Sequence, residues 1–229
     1  MDLYPVPDYP ALVIPGEEDI LVVADIHLGM EYELLRRGIN LPSQVQILKA
    51  EVEYLLSATG AARLVILGDV KHNIPSISAL EAKAVPSFLS LGVPVTLVKG
   101  NHDGGIEPLA GMPAHPYLVL NDTLLVHGHM RLPDVPCRRV VMAHAHPAVE
   151  ITDELGKRTR EKCWIRGHLP DGRDLVVMPA FNSLITGIPL NRAVDDMPGP
   201  VLSLPGLDRG ALVAYLLDGT CLGPLSAIR

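Results

Sequence analysis

The sequence predicts an α/β fold of two packed mixed β-sheets flanked by helices, and three observations carry that expectation. The first hundred residues alternate buried-strand runs with helical patterns. The later residues break into short apolar runs separated by turn residues, the pattern of a second sheet. A chain of 229 residues with 48% hydrophobic and 4% aromatic content is long enough for a substantial core filled mainly by aliphatic side chains.

The elements follow in order. Asp19 to Ala24, with Ile20-Leu21-Val22-Val23 at its centre, reads as a buried strand. Pro42 to Ser57 carries Val45, Leu48, Val52, Leu55 and Leu56 at helical spacing, with the proline at its start and Gly60 beyond its end. Arg63 to Leu67 is the second strand. Ser78 to Leu89 is a second helix, interrupted by Pro86, and Val93 to Val98 is the third strand. Strand, helix, strand, helix, strand at this spacing implies parallel pairing, with ligands bound beyond the strand C-termini. Further strands are expected at Tyr117 to Leu120, Thr123 to Val126, Arg139 to Met142, Asp174 to Met178 and Ala211 to Leu217, with Asn121-Asp122 turning a hairpin between the first two. No repeat, low-complexity tract or Gly/Ser linker divides the chain, so residues 1–229 are expected to form one domain.

Nineteen basic against twenty-six acidic residues give a net charge of -7, which argues against a broad cationic face for duplex nucleic acid but leaves room for a local phosphate site. No apolar run reaches the roughly 18 residues of a membrane span. Met1 to Pro10 has neither a basic head nor an apolar signal core, so a cytoplasmic protein with no membrane partner is expected. Cys137, Cys163 and Cys221 are odd in number and far apart, and read as buried, reduced thiols rather than as a disulfide framework or zinc ribbon.

Five polar clusters fall where predicted strands end: Asp25-Ile26-His27, Gly68-Asp69, Gly100-Asn101-His102-Asp103, His127-Gly128-His129 and His144-Ala145-His146. One Asp-x-His is nearly expected by chance, whereas Gly-Asn-His-Asp has a chance expectation of about one in a thousand. Six of the nine histidines lie in these clusters. Imidazole with carboxylate oxygen is the donor set for Mn, Fe or Zn, and a carboxylate can bridge two cations where a neutral imidazole nitrogen binds one. Asp69 is the candidate bridge.

The ordered string resembles the calcineurin-like metallophosphoesterases, whose pattern runs Asp-x-His, Gly-Asp, Gly-Asn-His-Asp/Glu, a lone His, then Gly-His-x-His. The resemblance covers residues 20 to about 147. Gly68-Asp69-Val70-Lys71-His72 and Pro179-Ala180-Phe181-Asn182 make the chain similar to the archaeal SbcD-related phosphoesterases, and the second stretch also to the bacterial ligase-associated metallophosphoesterases. Carried over position by position, the resemblance implies one metal on Asp25, His27, Asp69 and His146, and a second on Asp69, Asn101, His127 and His144. Mn is the first expectation, with Fe, Zn or Ni as alternatives. Two cations about 3.5 to 4 Å apart would lower the pKa of a bridging water, whose hydroxide attacks the phosphate ester in line.

His102, adjacent to Asn101, is then the expected general acid, with Asp103 orienting its ring. Two positions depart from the pattern. Ala143 stands where the family usually has Gly, and would be strained if the turn needed positive φ. His72, three residues after Asp69, stands where many members carry Asp or Arg, and is taken as a substrate-binding candidate. His129 is balanced between a substrate contact and a hydrogen bond behind the ligands, and His115 and His168 are left as structural. The basic run Lys157-Arg158-Thr159-Arg160-Glu161-Lys162 reads as a solvated hairpin tip, with a phosphate backbone as the alternative. The expected function is hydrolysis of phosphodiester or phosphomonoester bonds, the substrate a phosphate ester extending to nucleotides or nucleic acid. Two rivals stand beside it: a DNA-repair nuclease of SbcD type, and a scaffold that keeps the fold without catalysis.

Overall fold

The computed structural model describes residues 3–228; Met1, Asp2 and Arg229 lie outside the described residues. The first part of the chain forms β1 (Tyr4–Pro5), β2 (Ala11–Ile14), β3 (Ile20–Val23), α1 (Met30–Arg36), α2 (Val45–Thr59), β4 (Arg63–Leu67), α3 (Glu81–Leu89), β5 (Val95–Val98), α4 (Ile106–Ala110) and β6 (Ala114–His115). The remainder forms β7 (Leu118–Leu120), β8 (Thr123–Val126), β9 (Arg139–Met142), β10 (Pro147–Thr152), β11 (Arg158–His168), β12 (Asp174–Val177), β13 (Ile188–Pro189), α5 (Gly199–Leu202), β14 (Val213–Leu216) and β15 (Cys221–Pro224).

Among the described residues the strands form two sheets. The first has the order β1-β2-β3-β4-β5-β6, parallel from β3 to β6 and antiparallel at β1 and β2. The second has the order β13-β10-β11-β12-β9-β8-β7, with β14 and β15 added through β11. Both are mixed, as expected, because βαβ crossovers give parallel pairs while the short turns give antiparallel ones. The hairpin at Asn121-Asp122 joins β7 to β8.

Three apolar layers hold the fold. Leu12, Val22, Val65, Leu67, Leu125, Val141, Trp164 and Val176 fill the space between the sheets. On the outer face of the first sheet, Val45, Leu48, Val52, Leu55 and Leu56 of α2 pack with Ala84, Val85, Phe88 and Leu89 of α3. The apolar stripe read in α2 is therefore core. Pro86 sits inside α3 without ending it, since the helix is held by its buried face. Ser78 and Glu81 start α3 as a capping box: Ser78 Oγ accepts from the Glu81 N–H at 3.1 Å, and the Glu81 carboxylate accepts from the Ser78 N–H at 2.8 Å. The outer face of the second sheet is covered by α5 and irregular chain through Leu190, Met197, Val201, Leu202 and Leu207. No helix among the described residues is long and apolar enough to cross a membrane.

Two expectations are corrected here. The hairpin tip lies at residues 153–157, so Lys157 is in the turn but Arg158 to Lys162 belong to β11. Charged side chains on an outward face hide a strand from apolar periodicity. Cys163 is buried, but Cys137 is only partly so and Cys221 is exposed; all three are free thiols.

Candidate metal centre

The strand ends gather the polar clusters at one place. Asp25 follows β3, Asp69 follows β4 and Gly68, Asn101 lies three residues past the end of β5, His127 follows β8 directly, and His144 and His146 fill the short turn between β9 and β10. Asp25, His27, Asp69, His144 and His146 all have positive φ, between 42° and 67°. Non-glycine residues held there are concentrated at functional sites, because the left-handed region costs each of them roughly 1 kcal/mol or more. Ala143 is free of that strain. The positive φ of its turn falls on His144 and His146, so alanine is accommodated as a buried residue between the sheets.

Two glycines make room for the carboxylate and imidazole. A Cβ at Gly100 would lie 2.0 Å from Asp69 Oδ1, and one at Gly68 would lie 2.2 Å from His127 Nδ1. These contacts exclude any larger residue without movement of the cluster.

The donor atoms form two groups that share Asp69. Asp25, His27, Asp69 and His146 offer donors within 4.8 Å of one another, and so do Asp69, His127 and His144. Ring nitrogens converge on the same space: His27 Nε2 and His146 Nε2 are 3.4 Å apart, and His144 Nδ1 and His127 Nε2 are 3.2 Å apart. Asn101 Oδ1 lies 3.2 Å from the same His127 Nε2. Asp25 Oδ1 is buried with no hydrogen-bond partner. A buried carboxylate oxygen without a partner and converging lone pairs are the arrangement a cation resolves. All seven residues predicted as ligands are thus brought together.

The hydrogen bonds behind them set the tautomers. His127 Nδ1 donates to the Leu67 carbonyl at 3.2 Å, so Nε2, 3.2 Å from Asp69 Oδ2, is the nitrogen turned inward. His72 Nε2 donates to Glu33 Oε2 at 2.6 Å, so its Nδ1 accepts from His27 Nδ1 at 3.3 Å and His27 Nε2 faces the centre. His27, His72 and His102 also form a third group of mutually close ring nitrogens, which sequence reading had not joined.

Charge in the cluster follows burial and neighbours. Burial opposes ionisation of Asp69, yet its hydrogen bond to His127 and the nearby imidazoles hold it below the usual carboxylate range. Burial likewise works against charged His127, but Asp69 and Asp25 raise it to about 9. Burial pushes His27 down to about 3 against the two carboxylates, and burial with the His127 charge pushes His144 down to about 4. Neutral His27 and His144 are in the form that binds metal.

The expected pairing of Asp103 with the His102 ring is corrected. Asp103 Oδ1 accepts from the N–H groups of Val70 and Lys71, at 2.9 and 3.4 Å, and Oδ2 accepts from Gly100 at 2.9 Å. A buried carboxylate among three backbone donors spends its lone pairs on them, so it holds the Gly100–Asn101 turn against the loop after Asp69. The His102 ring is instead held by a hydrogen bond from Nδ1 to the His72 carbonyl. His102 Nε2 is 3.9 Å from Asp69 Oδ2. His72, expected at the substrate, is mostly buried, with both ring nitrogens engaged by His27 and Glu33. The His129 ring lies tilted at 52° to that of His127 with the centroids 5.1 Å apart, its Nδ1 buried and unpartnered. His115 and His168 lie outside the cluster.

Four residues support the cluster in roles the sequence did not reveal, although Asn182 stands in the Pro179-Ala180-Phe181-Asn182 stretch and Lys162 in the basic run. Glu33 comes from α1. Glu81, fully buried, accepts from the N–H groups of His72 and Asn73 at 3.0 and 2.7 Å and so ties the loop after Asp69 to α3. Asn182 donates to the Ile26 carbonyl at 2.8 Å, and Lys162 donates to the carbonyls of Ala180 and Asn182, both at 2.7 Å. The Ser-x-x-Glu spacing at Ser78 and Glu81 was a readable signal; the others depend on contacts across the fold.

The family profile described as calcineurin-like phosphoesterase matches residues 19–185. No curated protein matches the chain. Among solved structures, the nuclease MPE of Pseudomonas putida superposes with a TM-score of 0.61 at 21% identity, over 91% of this chain and 89% of that one. The phosphoesterase Yfce of E. coli gives a TM-score of 0.45 at 21% identity, over 89% and 96%. The profile match spans more than half of the sequence and includes every residue of the cluster, so the chain belongs to the calcineurin-like phosphoesterase family, a family of metal-dependent hydrolases of phosphate esters.

Proposed function

We propose that the chain is a dinuclear phosphodiesterase, with one cation on Asp25, His27, Asp69 and His146 and the other on Asp69, Asn101, His127 and His144. The observation that carries this reading is the sharing of Asp69 between two donor groups, with a partnerless buried oxygen on Asp25. Mn is the first candidate ion, and Fe, Zn or Ni suit the same nitrogen and oxygen donors. Bound there, a pair of divalent cations supplies a water ionised near neutral pH and polarisation of the phosphoryl oxygens.

The chain's own groups do the rest. With Nδ1 donating to the His72 carbonyl, His102 presents Nε2 at the cluster as the atom that delivers a proton to the leaving oxygen. Asp103 keeps Asn101 and Asp69 in register through backbone donors. His72 and Glu33 brace the His27 ring at the rim, where the His72 edge also borders an entering ester. A full donor set argues against the scaffold alternative, which needs no such convergence of buried carboxylates and imidazoles. The fold likeness to a protein described as a nuclease favours a diester in a polynucleotide over a small monoester.

Purified protein loaded with Mn, Ni, Zn or Fe is expected to bind two cations per chain and to hydrolyse a chromogenic phosphodiester. Asp69→Asn should lose both properties while keeping its circular dichroism spectrum. A single cation per chain with every ion tried, or full activity in that variant, would overturn the assignment.

A further inference from the structure

The basic run of β11 and one arginine from beyond β13 meet on the ribbon that leaves the metal centre. β10 starts at Pro147, the residue after His146, and β11 returns beside it with Arg160 opposite Glu150 and Arg158 opposite Thr152. Arg192 reaches the same face, its Nη2 donating to Thr152 Oγ1 at 3.1 Å. Three guanidinium groups thus converge on one carboxylate: Arg158 at 3.6 Å, Arg160 at 3.8 Å and Arg192 at 3.4 Å from Glu150 oxygens. Glu150 is only 15% exposed, while the arginine side chains are 72%, 40% and 41% exposed. One carboxylate cannot satisfy three five-donor forks, so most of their N–H groups face solvent, with two positive charges in excess. Glu150, Arg158, Thr159, Arg160 and Thr186 line a cleft of about 260 Å³ at this place.

The patch is joined to the centre by backbone. Arg160 Nη1 donates to the Gly187 carbonyl at 3.3 Å, and the next residue, Ile188, donates to the His146 carbonyl at 2.8 Å. Glu150 stands four residues along the strand from His146, about 13 Å away at the usual strand rise of about 3.3 Å per residue. The arginines are too distant to serve the phosphate under attack.

We propose that Arg158, Arg160 and Arg192 form a track for the phosphates of a polynucleotide whose scissile diester lies at the metal centre. The proposal rests on the phosphodiesterase reading for its register but not for its binding event. A chain of net charge -7 repels nucleic acid over most of its surface, so a local cationic track beside the centre also selects which way the strand runs out of it. Guanidinium forks suit phosphate oxygens without reading bases, so the track favours polynucleotide over mononucleotide, and not one sequence over another.

Anisotropy of a labelled oligonucleotide, single-stranded and duplex, decides the matter on metal-loaded protein, read before appreciable cleavage. Substituting Arg158→Gln, Arg160→Gln and Arg192→Gln together should weaken binding tenfold or more at low salt. It should also flatten the dependence of log K on log salt by about 2 to 3, the release expected from three contacts at about 0.7 to 0.9 each. Arg158→Gln alone, at the most exposed of the three, should remove about one contact's worth of slope. Hydrolysis of a small chromogenic diester should be the same in all three proteins. An unchanged slope in the triple variant, or no oligonucleotide binding by the unsubstituted protein at low salt, overturns the track. Failure of the unsubstituted protein to hydrolyse the small diester counts against the phosphodiesterase reading instead, and the binding slopes still decide the track.

Discussion

Glu33 Oε2 accepts a hydrogen bond from His72 Nε2 at 2.6 Å, and this contact reaches the candidate metal centre through one more imidazole, since His72 Nδ1 faces His27 Nδ1 at 3.3 Å. A carboxylate at the end of such a chain fixes the tautomer of both rings, which leaves His27 Nε2 as a lone pair aimed inward. Glu33→Gln removes the fixed acceptor without removing any donor to the cation. Partners of this kind are worth about 10 to 100-fold in metal affinity when lost. Activity of the variant is expected to fall at limiting Mn and to recover when Mn is raised. Identical metal titrations for the two proteins would mean that Glu33 serves only its helix.

His102 is argued to act on the leaving oxygen, so its loss should depend on how much help that oxygen needs. His102→Asn is expected to slow a diester with an alkyl leaving group by about 100-fold or more, the usual range for a lost general acid. The p-nitrophenolate ester, whose leaving group departs without a proton, should slow by less than about 10-fold. Equal losses for the two esters would assign the His102 ring to structure, through its hydrogen bond to the His72 carbonyl.

The residues gathered at the candidate metal centre were legible in the sequence and most of the residues that hold them were not, for a physical reason. The cluster is built at strand ends, so Asp25, Asp69, Asn101 and His144 announce themselves as polar residues just after apolar runs. Glu33, Asn182 and Lys162 act across long separations, and nothing local distinguishes Glu33 from the other acids of a short helix. Asp103 shows the opposite error: adjacency to His102 suggested a contact, while burial sent both its oxygens to backbone donors. The parallel half of the fold was read from its periodicity, but β10 and β11 were missed because outward arginines and glutamates break the apolar alternation of the ribbon.

Lys162 gives the chain a pH signature away from the chemistry. Burial, opposed by the charges of Glu51 and Asp25, lowers its pKa from 10.5 to about 8. The unfolded chain therefore holds a proton between about 8 and 10.5 that the folded chain has lost, and stability rises with pH across that window. Below pH 8 both states are protonated and the full cost remains, about 3 kcal/mol at about 1.4 kcal/mol per unit. Lys162→Met removes the titration while leaving the Ala180 and Asn182 carbonyls without their donor, so the variant should be less stable near pH 10. Denaturant titrations at pH 7.5 and 10 are expected to show the unsubstituted protein gaining more stability than the variant. Parallel pH dependence in the two would show that the ammonium is not penalised by its surroundings.

Gly100 and Gly60 separate the space a glycine leaves from the backbone freedom it allows. Gly60 ends α2 at a φ of +69° with nothing within 4 Å of a notional Cβ, so alanine there meets only the left-handed backbone cost of about 1 kcal/mol. Gly100 has no positive φ, but its Cβ would stand 2.0 Å from Asp69 Oδ1 and 2.3 Å from the Asp69 nitrogen. Alanine there has to displace the carboxylate shared by both donor groups. Gly100→Ala is accordingly expected to lose bound metal and at least about 100-fold in hydrolysis. Gly60→Ala should melt several degrees lower, with full activity per folded molecule. Metal content measured on both variants after gel filtration is the deciding quantity. A Gly100→Ala protein carrying its normal complement of cation would show that Asp69 can be moved without cost, and with it that Asp69 is not the shared ligand.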